Sequence, residues 1–263
     1  MESGSDRVVN KVRVRQIPAQ RKQEILREVD AGTSGVAELA AKFGVSEMTV
    51  RRDLGELARA GKLQRVRGGA IGVPNEPPFA ETAIERIGAK DRIGTAAAEL
   101  IEEGTTVMID IGTTTLQLAR KLHGRRITVI TTSLAVFEEL YRDPAITMIL
   151  PGGIVRRNYL SLVGPITKSS LSQLRADIMF LGTSGVDYDL AVWDSTMIEV
   201  PVKRAMIDAS RSVVLLADCA KFGGDGLVRV CNGVELDRVV TDVPLGAAYQ
   251  EAISSAGLAV TVA

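Results

Sequence analysis

Residues 46–60 read SEMTVRRDLGELARA, which is the pattern of a single amphipathic helix. The hydroxyl of Ser46 can cap such a helix, and the glycine that follows the stretch favours its end. Val50, Leu54 and Leu57 recur at spacings of four and three, so they form one apolar stripe. We therefore expect a helix over this stretch that buries one side and exposes the other.

The exposed side of this helix carries chemistry that suits the major groove of DNA. Met48, Thr49, Arg51 and Arg52 fall opposite or beside the apolar stripe, near the N-terminus of the helix. Arginine forks bind guanine edges or phosphates, and short side chains permit close approach. The stretch alone leaves one alternative open, a solvated helix in which Arg51 and Arg52 only keep the surface soluble.

The flanking segments favour the DNA-binding interpretation. Upstream, residues 36–43 form a second short apolar stripe, and Gly44 offers a tight turn into Ser46, which is the spacing of a helix-turn-helix. Downstream, residues 62–73 read KLQRVRGGAIGV, which predicts a small hairpin with basic tips. Together the three segments predict a winged helix. The predicted DNA-binding residues are Ser46, Met48, Thr49, Arg51, Arg52, Arg65, Arg67 and Gly68.

Charge is divided unevenly along the 263-residue chain, although the net charge is zero. Residues 1–72 carry 14 Lys and Arg against 9 Asp and Glu, whereas residues 73–263 carry 18 against 23. A basic first part on an acidic second part suggests that double-stranded DNA is a partner of the first part alone.

Cysteine content and hydropathy narrow the class of protein. Cys219 and Cys231 are the two cysteines, and they form neither a disulfide framework nor a zinc-ligand spacing. No apolar run approaches the ~20 residues that span a bilayer, and the N-terminal segment lacks the apolar core of a signal peptide. We expect a cytoplasmic protein with no membrane partner, no metal site and no cofactor.

Length and linker composition favour two domains. We expect a flexible basic arm over residues 1–16, a winged helix-turn-helix over 17–73, a proline-rich linker over 74–78 and a second domain over 79–263. The first domain should open with a helix over residues 17–29. A helix over 79–103, broken near Gly88 or Gly94, should lead into the second domain.

The second domain alternates between short apolar strands and helices. Strands are expected at residues 107–109, 127–130, 146–150, 178–181, 213–216, 239–240 and 258–262, and helices at 113–122, 134–141, 166–174 and 196–209. Strands that are apolar throughout and alternate with helices predict an α/β domain with a largely parallel, Rossmann-like sheet.

Small and polar residues follow the strands of this predicted sheet. Ligands of such sheets bind outside the carboxyl ends of the strands, so these residues are candidates for a binding site. They are Asp110, Gly112, Thr113, Thr114, Thr115, Thr131, Thr132, Ser133, Gly152, Gly153, Asp187, Lys203, Asp218 and Lys221.

The loop at residues 112–115 (GTTT) suits a phosphate, because glycine exposes backbone amides at a helix N-terminus and threonine adds hydroxyls. For this loop alone, a plain helix cap at Thr113 remains the alternative. Neither the Walker pattern nor the dinucleotide glycine pattern occurs, so ATP and NAD are not indicated. Carboxylates mixed with lysines and Arg156 suit a polyhydroxy phosphate, that is, a sugar phosphate.

No catalytic set is expected, and His123, the only histidine, is interpreted as a cap or surface residue.

Both halves of the chain resemble the DeoR family of bacterial transcriptional regulators. The first half is similar through Val45, Ser46, Thr49, residues 51–54, Gly61, Arg65 and residues 68–70. The second half is similar through Asp110, residues 112–115, Thr131, Ser133, Gly152, Gly153, Gly164, Pro165, Asp177, Gly185, Asp187, Asp218 and residues 221–223. The resemblance implies a repressor of a sugar-metabolism operon that forms a homo-oligomer (dimer or tetramer). Its effector domain, similar to ribose-5-phosphate isomerase, implies a phosphorylated sugar as ligand.

Three departures bear on what the effector domain can do. Thr132 stands where the family often has asparagine, which leaves the particular sugar open. Residues 184–187 (SGVD) lack the first carboxylate of the isomerase run, and Lys203 falls where the isomerases have their catalytic glutamate. A lysine ammonium is a poor proton acceptor at neutral pH. We therefore expect a regulator rather than an enzyme. The rival is a sugar-phosphate isomerase or related enzyme with an appended DNA-binding domain.

Overall fold

A computed structural model of the chain describes residues 18–30, 35–59, 63–66, 68–72, 77–224 and 226–263. The chain divides into a first unit, residues 1–75, and a second unit, residues 76–263. The predicted basic arm, Arg67 and most of the predicted linker lie outside the described residues. Within the described parts, no helix is long and apolar enough to cross a membrane.

The first unit contains three helices and a hairpin in its described ranges. They are α1 (Pro18–Asp30), α2 (Val36–Phe43), α3 (Glu47–Arg59), β1 (Leu63–Val66) and β2 (Gly69–Gly72), with β1 and β2 antiparallel. The predicted opening helix, helix-turn-helix and hairpin are therefore confirmed. Gly44 makes the turn between α2 and α3 with a φ of 62°, a left-handed conformation that favours glycine.

The core of the first unit lies where the apolar stripes meet. Ile25, Leu39, Val50 and Leu54 are fully buried there. The hairpin is joined to α2 by backbone contacts, since the amide of Val36 donates to the carbonyl of Gly68 at 3.0 Å. The three helices and the hairpin thus form the predicted winged helix.

The second unit begins at residue 76 and contains more elements than were predicted. In chain order they are α4 (Phe79–Ile84), α5 (Ile87–Ala98), β3 (Thr106–Ile109), α6 (Thr113–Ala119), β4 (Thr128–Thr131), α7 (Leu134–Leu140), β5 (Thr147–Ile149), β6 (Ile154–Arg156), β7 (Ser161–Val163), α8 (Pro165–Leu171), β8 (Ile178–Leu181), β9 (Gly185–Val186), β10 (Val192–Asp194), α9 (Val200–Asp208), β11 (Val213–Leu216), β12 (Val228–Cys231), β13 (Arg238–Thr241), α10 (Ala247–Ala256) and β14 (Ala259–Val262).

Seven of these strands form one parallel sheet in the order β14-β13-β11-β8-β3-β4-β5. Its central strands are buried on both faces, as Met108, Phe180 and Leu215 show. The predicted Rossmann-like α/β sheet is therefore confirmed. The chain runs outward from β3 in both directions, so the strand order reverses between β3 and β8. A crevice forms outside the carboxyl ends of strands at such a point.

The helix expected over residues 79–103 is broken near Gly88, as predicted, but it ends earlier, at Ala98. The break separates α4 from α5 at Glu85 and Arg86, just before Gly88. Arg86 has a φ of 49°, and its guanidinium pairs with Asp218 at 2.9 Å and Asp242 at 3.0 Å. These long-range ion pairs stabilise the unusual backbone conformation of Arg86. They join residues distant in sequence, so no local sequence pattern predicts them.

Three further features were absent from the sequence interpretation. The loop after β5 contains the antiparallel hairpin β6–β7, and β12, β10 and β9 form a small antiparallel sheet. Helix α10 precedes the last strand. In addition, α9 begins at Val200 rather than Thr196, because Thr196 lies in a turn in which its amide donates to the carboxylate of Asp194 at 2.9 Å.

Candidate functional site

The N-terminus of α3 is capped as the sequence predicted. The amide of Thr49 donates to the hydroxyl oxygen of Ser46 at 3.2 Å, and the two hydroxyls lie 2.9 Å apart. Met48, in the first turn, is 74% exposed. The start of the helix is therefore ordered by its own cap and presents its side chains to solvent.

Both predicted arginines of α3 are exposed. Arg51 pairs with Glu47 at 2.9 Å and Arg52 pairs with Glu56 at 3.1 Å, each one turn away on the same helix. Surface pairs of this kind contribute about 0.3–0.5 kcal/mol, so either arginine can exchange its glutamate for a phosphate or a base edge at little cost.

The hairpin residues of the predicted DNA site are only partly described. Gly68 is exposed at the hairpin turn with a φ of 91°. Arg65 lies on β1, and Arg67 lies outside the described residues. The DNA-binding roles of all eight residues remain predictions.

We expect Arg51→Ala and Arg52→Ala each to weaken operator binding. An arginine that reads a base should cost about 1–3 kcal/mol and relax specificity at one base pair. One that contacts phosphate should weaken all sequences alike and flatten the dependence of affinity on salt. Fluorescence anisotropy with operator and scrambled DNA measures both. Arg211→Ala, an exposed arginine of the second unit, is the matched control for loss of charge. Unchanged affinity in both α3 variants would contradict the assignment of this face to DNA.

A cleft lies outside the carboxyl ends of the parallel strands. Its empty volume, including the part open to solvent, is ≈ 490 Å³. Six of the predicted effector residues line it: Gly112, Thr113, Thr114, Thr115, Lys203 and Lys221. The cleft therefore combines the threonine-rich loop at the N-terminus of α6 with two lysines from other elements.

The loop before α6 keeps its backbone close to the neighbouring strand. Gly112 has a φ of 140°, and its carbonyl accepts a hydrogen bond from the hydroxyl of Thr115 at 2.9 Å. A Cβ at Gly182, after β8, would lie 2.8 Å from the carbonyl oxygen of Ile111, so this position needs glycine. The hydroxyl of Thr115 is thus used inside the loop, whereas that of Thr113 is available to a ligand.

Lys203, on α9, is the centre of a buried ion cluster beside the cleft. Its ammonium lies 2.5 Å from Asp110 and 3.4 Å from Asp194, and it donates to the carbonyl of Gly182 at 3.0 Å. Burial alone would lower the pKa of Lys203, but the facing carboxylates raise it above its usual value. Lys203 is therefore an ammonium and cannot accept a proton from a substrate.

Glu199 extends this cluster and was missed by the sequence interpretation. Its buried carboxylate accepts hydrogen bonds from Ser161 at 2.6 Å and Arg156 at 2.7 Å. Burial raises the pKa of Glu199, and the two hydrogen bonds oppose that rise. The hairpin β6–β7 brings Arg156 to this carboxylate.

The residues that follow β4 and β5 do not line the cleft and bond to or pack against neighbouring elements instead. Thr131 donates to the carbonyl of Ile109 at 2.7 Å. The hydroxyl of Ser133 caps α7, and that of Thr132 faces the sulfur of Met206. A Cβ at Gly153 would collide with Thr167, so this glycine serves close packing. The neighbouring Gly152 accepts a hydrogen bond from Thr167 through its carbonyl.

Asp187 and Asp218 also have structural partners. Asp187 accepts hydrogen bonds from the amide of Ala191 and the indole of Trp193, both at 2.9 Å. Asp218 pairs with Arg86 and caps the one-turn helix that carries Lys221. Asp218 thus positions Lys221, which lines the cleft. Asp187 stabilises a turn that does not line the cleft.

Several residues that line the cleft were not among the predicted site residues: Thr82, Ile111, Tyr159, Gly182, Thr183, Ser184, Asp194 and Leu216. Thr183 and Ser184 are small polar residues that follow β8, so they share the sequence pattern of the residues that were predicted to bind the ligand. Thr82 and Tyr159 come from α4 and the β6–β7 turn, which follow no strand of the parallel sheet. In the described ranges no three His, Cys, Asp or Glu residues are grouped to hold a metal ion.

Comparisons with known proteins agree with this architecture. A family model described as the DeoR-like helix-turn-helix domain matches residues 21–75, and one described as the DeoR C terminal sensor domain matches residues 85–243.

Three curated relatives match most of the chain. The HTH-type transcriptional regulator GlpR of Haloferax volcanii is 34% identical, covering 93% of this chain and 97% of its own. GolR of Listeria innocua is 31% identical, covering 94% and 99%. The glycerol-3-phosphate regulon repressor of Escherichia coli is 36% identical, covering 81% and 86%. Among solved structures, ribose 5-phosphate isomerase A of Methanocaldococcus jannaschii matches with a TM-score of 0.38 and 16% identity, covering 51% of this chain and 53% of that one.

Proposed function

The chain belongs to the DeoR family of DNA-binding transcriptional regulators, and from this premise we propose that it represses a sugar-metabolism operon under the control of a phosphorylated sugar. The proposal assigns operator DNA to α3 and the hairpin of the first unit. It assigns the sugar phosphate to the cleft between β3 and β8. The relatives named as repressors, among them one of a glycerol-3-phosphate regulon, support the repressor role.

The observation that carries the ligand assignment is the composition of the cleft. A glycine and three threonines at the N-terminus of α6 offer backbone amides and hydroxyls to a phosphate, and Lys221 offers charge. Asp194 stands in the same cleft and can accept hydrogen bonds from sugar hydroxyls. Anion donors beside a carboxylate match a molecule that has a phosphate at one end and hydroxyls along its length.

The protein is a regulator and not an enzyme, and its named relatives are likewise transcriptional regulators and repressors. Lys203 stands where a proton acceptor would be needed for isomerisation, and its ammonium is held by Asp110 and Asp194. The cleft therefore suits binding without turnover.

We also propose that the protein acts as a homo-oligomer in the cytoplasm, where operator DNA lies. A dimer should prefer half-sites separated by ~34–36 Å or multiples of that distance.

Thr113→Val tests the effector site. The valine keeps the shape of the side chain but removes a hydroxyl, so a bound phosphate should lose a charge-assisted hydrogen bond worth ~1.5–3 kcal/mol. Effector affinity should fall by roughly tenfold to a hundredfold. DNA affinity without effector should not change, and the effector concentration that alters DNA binding should rise by the same factor.

The measurement is a titration of the DNA upstream of the protein's own operon against a panel of sugar phosphates that includes sn-glycerol 3-phosphate. Thr95→Val, on the exposed face of α5 in the same unit, is the matched control. If Thr113→Val responds at the wild-type effector concentration, Thr113 does not hold the phosphate and the ligand assignment is wrong.

A further inference from the structure

Helix α4 forms one wall of the cleft and is firmly seated on the second unit. Its first residue, Phe79, is buried against Leu116 and meets the ring of Tyr159 edge-on, with centroids 5.5 Å apart. The amide of Phe79 donates to the carbonyl of Asn158 at 3.0 Å. These contacts bring Thr82, one turn along α4, to the lining of the cleft.

Thr82 presents a hydroxyl that no described residue satisfies. The residue is only 8% exposed, and among the described residues its Oγ1 atom has no hydrogen-bond partner. A buried polar group without a partner destabilises a folded protein. The hydroxyl therefore lies at the cleft as a donor that a ligand could satisfy.

Lys90, on α5, lies directly behind Thr82. It is 2% exposed, and its ammonium donates to the carbonyl of Thr82 at 2.6 Å. No carboxylate of the described residues lies within ion-pair distance of it, in contrast to Lys203 on the other side of the cleft. Burial lowers the pKa of Lys90, the charge of Asp218 partly opposes this, and the charge of Lys221 lowers the pKa a little further. Lys90 is thus a buried cation next to the cleft that forms no ion pair within the part of the chain that the structure describes.

We propose that Thr82 and Lys90 form a second part of the ligand site, which receives an anionic phosphate oxygen. Thr82 is the contact residue, and its hydroxyl donates to that oxygen. Lys90 is a positioning residue that fixes the carbonyl of Thr82 and supplies the positive potential that the anion balances. The inference rests on the proposed function, because it identifies a further part of the same site.

The subsite lies at the start of the second unit. Helix α4 is the first described helix after residues 73–76, through which the chain passes from the first unit to the second. A ligand that hydrogen-bonds to Thr82 stabilises the start of the second unit, which bears the effector cleft.

Thr82→Val and Lys90→Met in the full-length protein test the subsite. The probes are sn-glycerol 3-phosphate, ribose 5-phosphate and inorganic phosphate, with glycerol and ribose as unphosphorylated counterparts. Calorimetry measures affinity, and thermal unfolding with and without probe measures stability. Matched controls are Thr95→Val and Lys168→Met, both exposed residues of the same unit.

For Thr82→Val we expect roughly tenfold weaker binding of the phosphorylated probes that the wild type binds, with unchanged binding of the unphosphorylated ones. For Lys90→Met we expect a higher unfolding temperature of the ligand-free protein, because an unpaired buried charge is removed, and a smaller shift when phosphorylated probe is added. If Thr82→Val also weakens the binding of inorganic phosphate roughly tenfold, free phosphate is a sufficient ligand of the subsite.

Other outcomes overturn the proposal. Normal binding in both variants, together with weakened binding in Thr113→Val, would remove the subsite and leave the proposed function intact. A lower unfolding temperature of Lys90→Met with an unchanged ligand-induced shift would make Lys90 purely structural. Equal weakening of glycerol or ribose would assign Thr82 to the sugar rather than the anion. If the wild type binds none of the phosphorylated probes, the proposed function fails and the subsite with it.

Discussion

Replacing Lys203 with methionine should lower the free energy of unfolding of the second unit by about 3–5 kcal/mol. Methionine has a similar volume, so the loss is electrostatic rather than one of packing. Asp110 is almost fully buried, and without the ammonium its carboxylate keeps only backbone hydrogen bonds among the described residues, one of them from the amide of Gly182 at 3.0 Å. An isolated buried carboxylate is costly because no water replaces the lost partner.

Chemical denaturation of the ligand-free protein, followed by the circular dichroism of the sheet unit, measures this loss. The double variant Asp110→Asn/Lys203→Met removes both charges and should recover most of it, since removing a whole buried pair is often nearly neutral. Lys168→Met is the control for replacing an exposed lysine. If the double variant were as unstable as Lys203→Met, the loss would arise from packing around α9 or from the charge of Asp194, which also pairs with Lys203, and not from the uncompensated charge of Asp110.

Local patterns were sufficient to predict the first unit. The stripe of Val50, Leu54 and Leu57 predicted α3, and the cap at Ser46 fixed its start, because both depend only on neighbouring residues. Asp53 shows where this reasoning stops. Its position on the apolar side of the helix indicates a buried carboxylate. Its partner, Arg21, lies 32 residues away and cannot be deduced from residue spacing.

Strand order explains which predicted ligand residues line the cleft. The sequence predicts that polar residues follow several parallel strands, but the position of each strand in the sheet depends on packing across the whole unit. Residues 112–115 follow β3, at the point where the strand order reverses. Residues 131–133 and 152–153 follow β4 and β5, which lie farther along one side of the sheet. Their polar atoms bond to β3, α7, α8 and α9 and do not line the cleft.

The remaining cleft residues come from elements without a local signature. Strands β9, β10 and β12 are two to four residues long, too short for an alternating pattern to stand out. Asp194 reaches the cleft at the end of β10, and Thr82 reaches it because Phe79 packs on Leu116 and Tyr159. Both placements result from contacts between residues distant in sequence.

Replacing Asp53 with alanine should destabilise the first unit by about 3–5 kcal/mol while leaving the second unit unchanged. Asp53 lies on the buried side of α3, and its carboxylate pairs with the guanidinium of Arg21 on α1 at 2.7 Å. Both side chains are nearly buried, so the alanine variant leaves an arginine charge without a partner between two helices. Domains of this size are stable by only about 5–15 kcal/mol, so the loss is a large fraction of the total.

Hydrogen exchange resolved by peptide measures this effect. Exchange should quicken in α1 and α3 and stay unchanged in the parallel sheet. The control is Lys42→Ala, which breaks the exposed pair between Lys42 and Glu28 and should cost only about 0–1 kcal/mol.

Operator binding of the same variants distinguishes a structural role of Asp53 from a DNA contact. Asp53 is next to Arg52 in sequence, but the helix turns one side chain to the core and the other to solvent. Arg21→Met/Asp53→Leu replaces the buried pair by apolar groups and should restore both slow exchange and operator affinity, because α3 regains its packing and keeps its exposed arginines. If exchange recovers in this double variant but operator affinity does not, Asp53 or Arg21 takes part in DNA binding directly, and the division of α3 into a buried and a DNA-facing side is wrong.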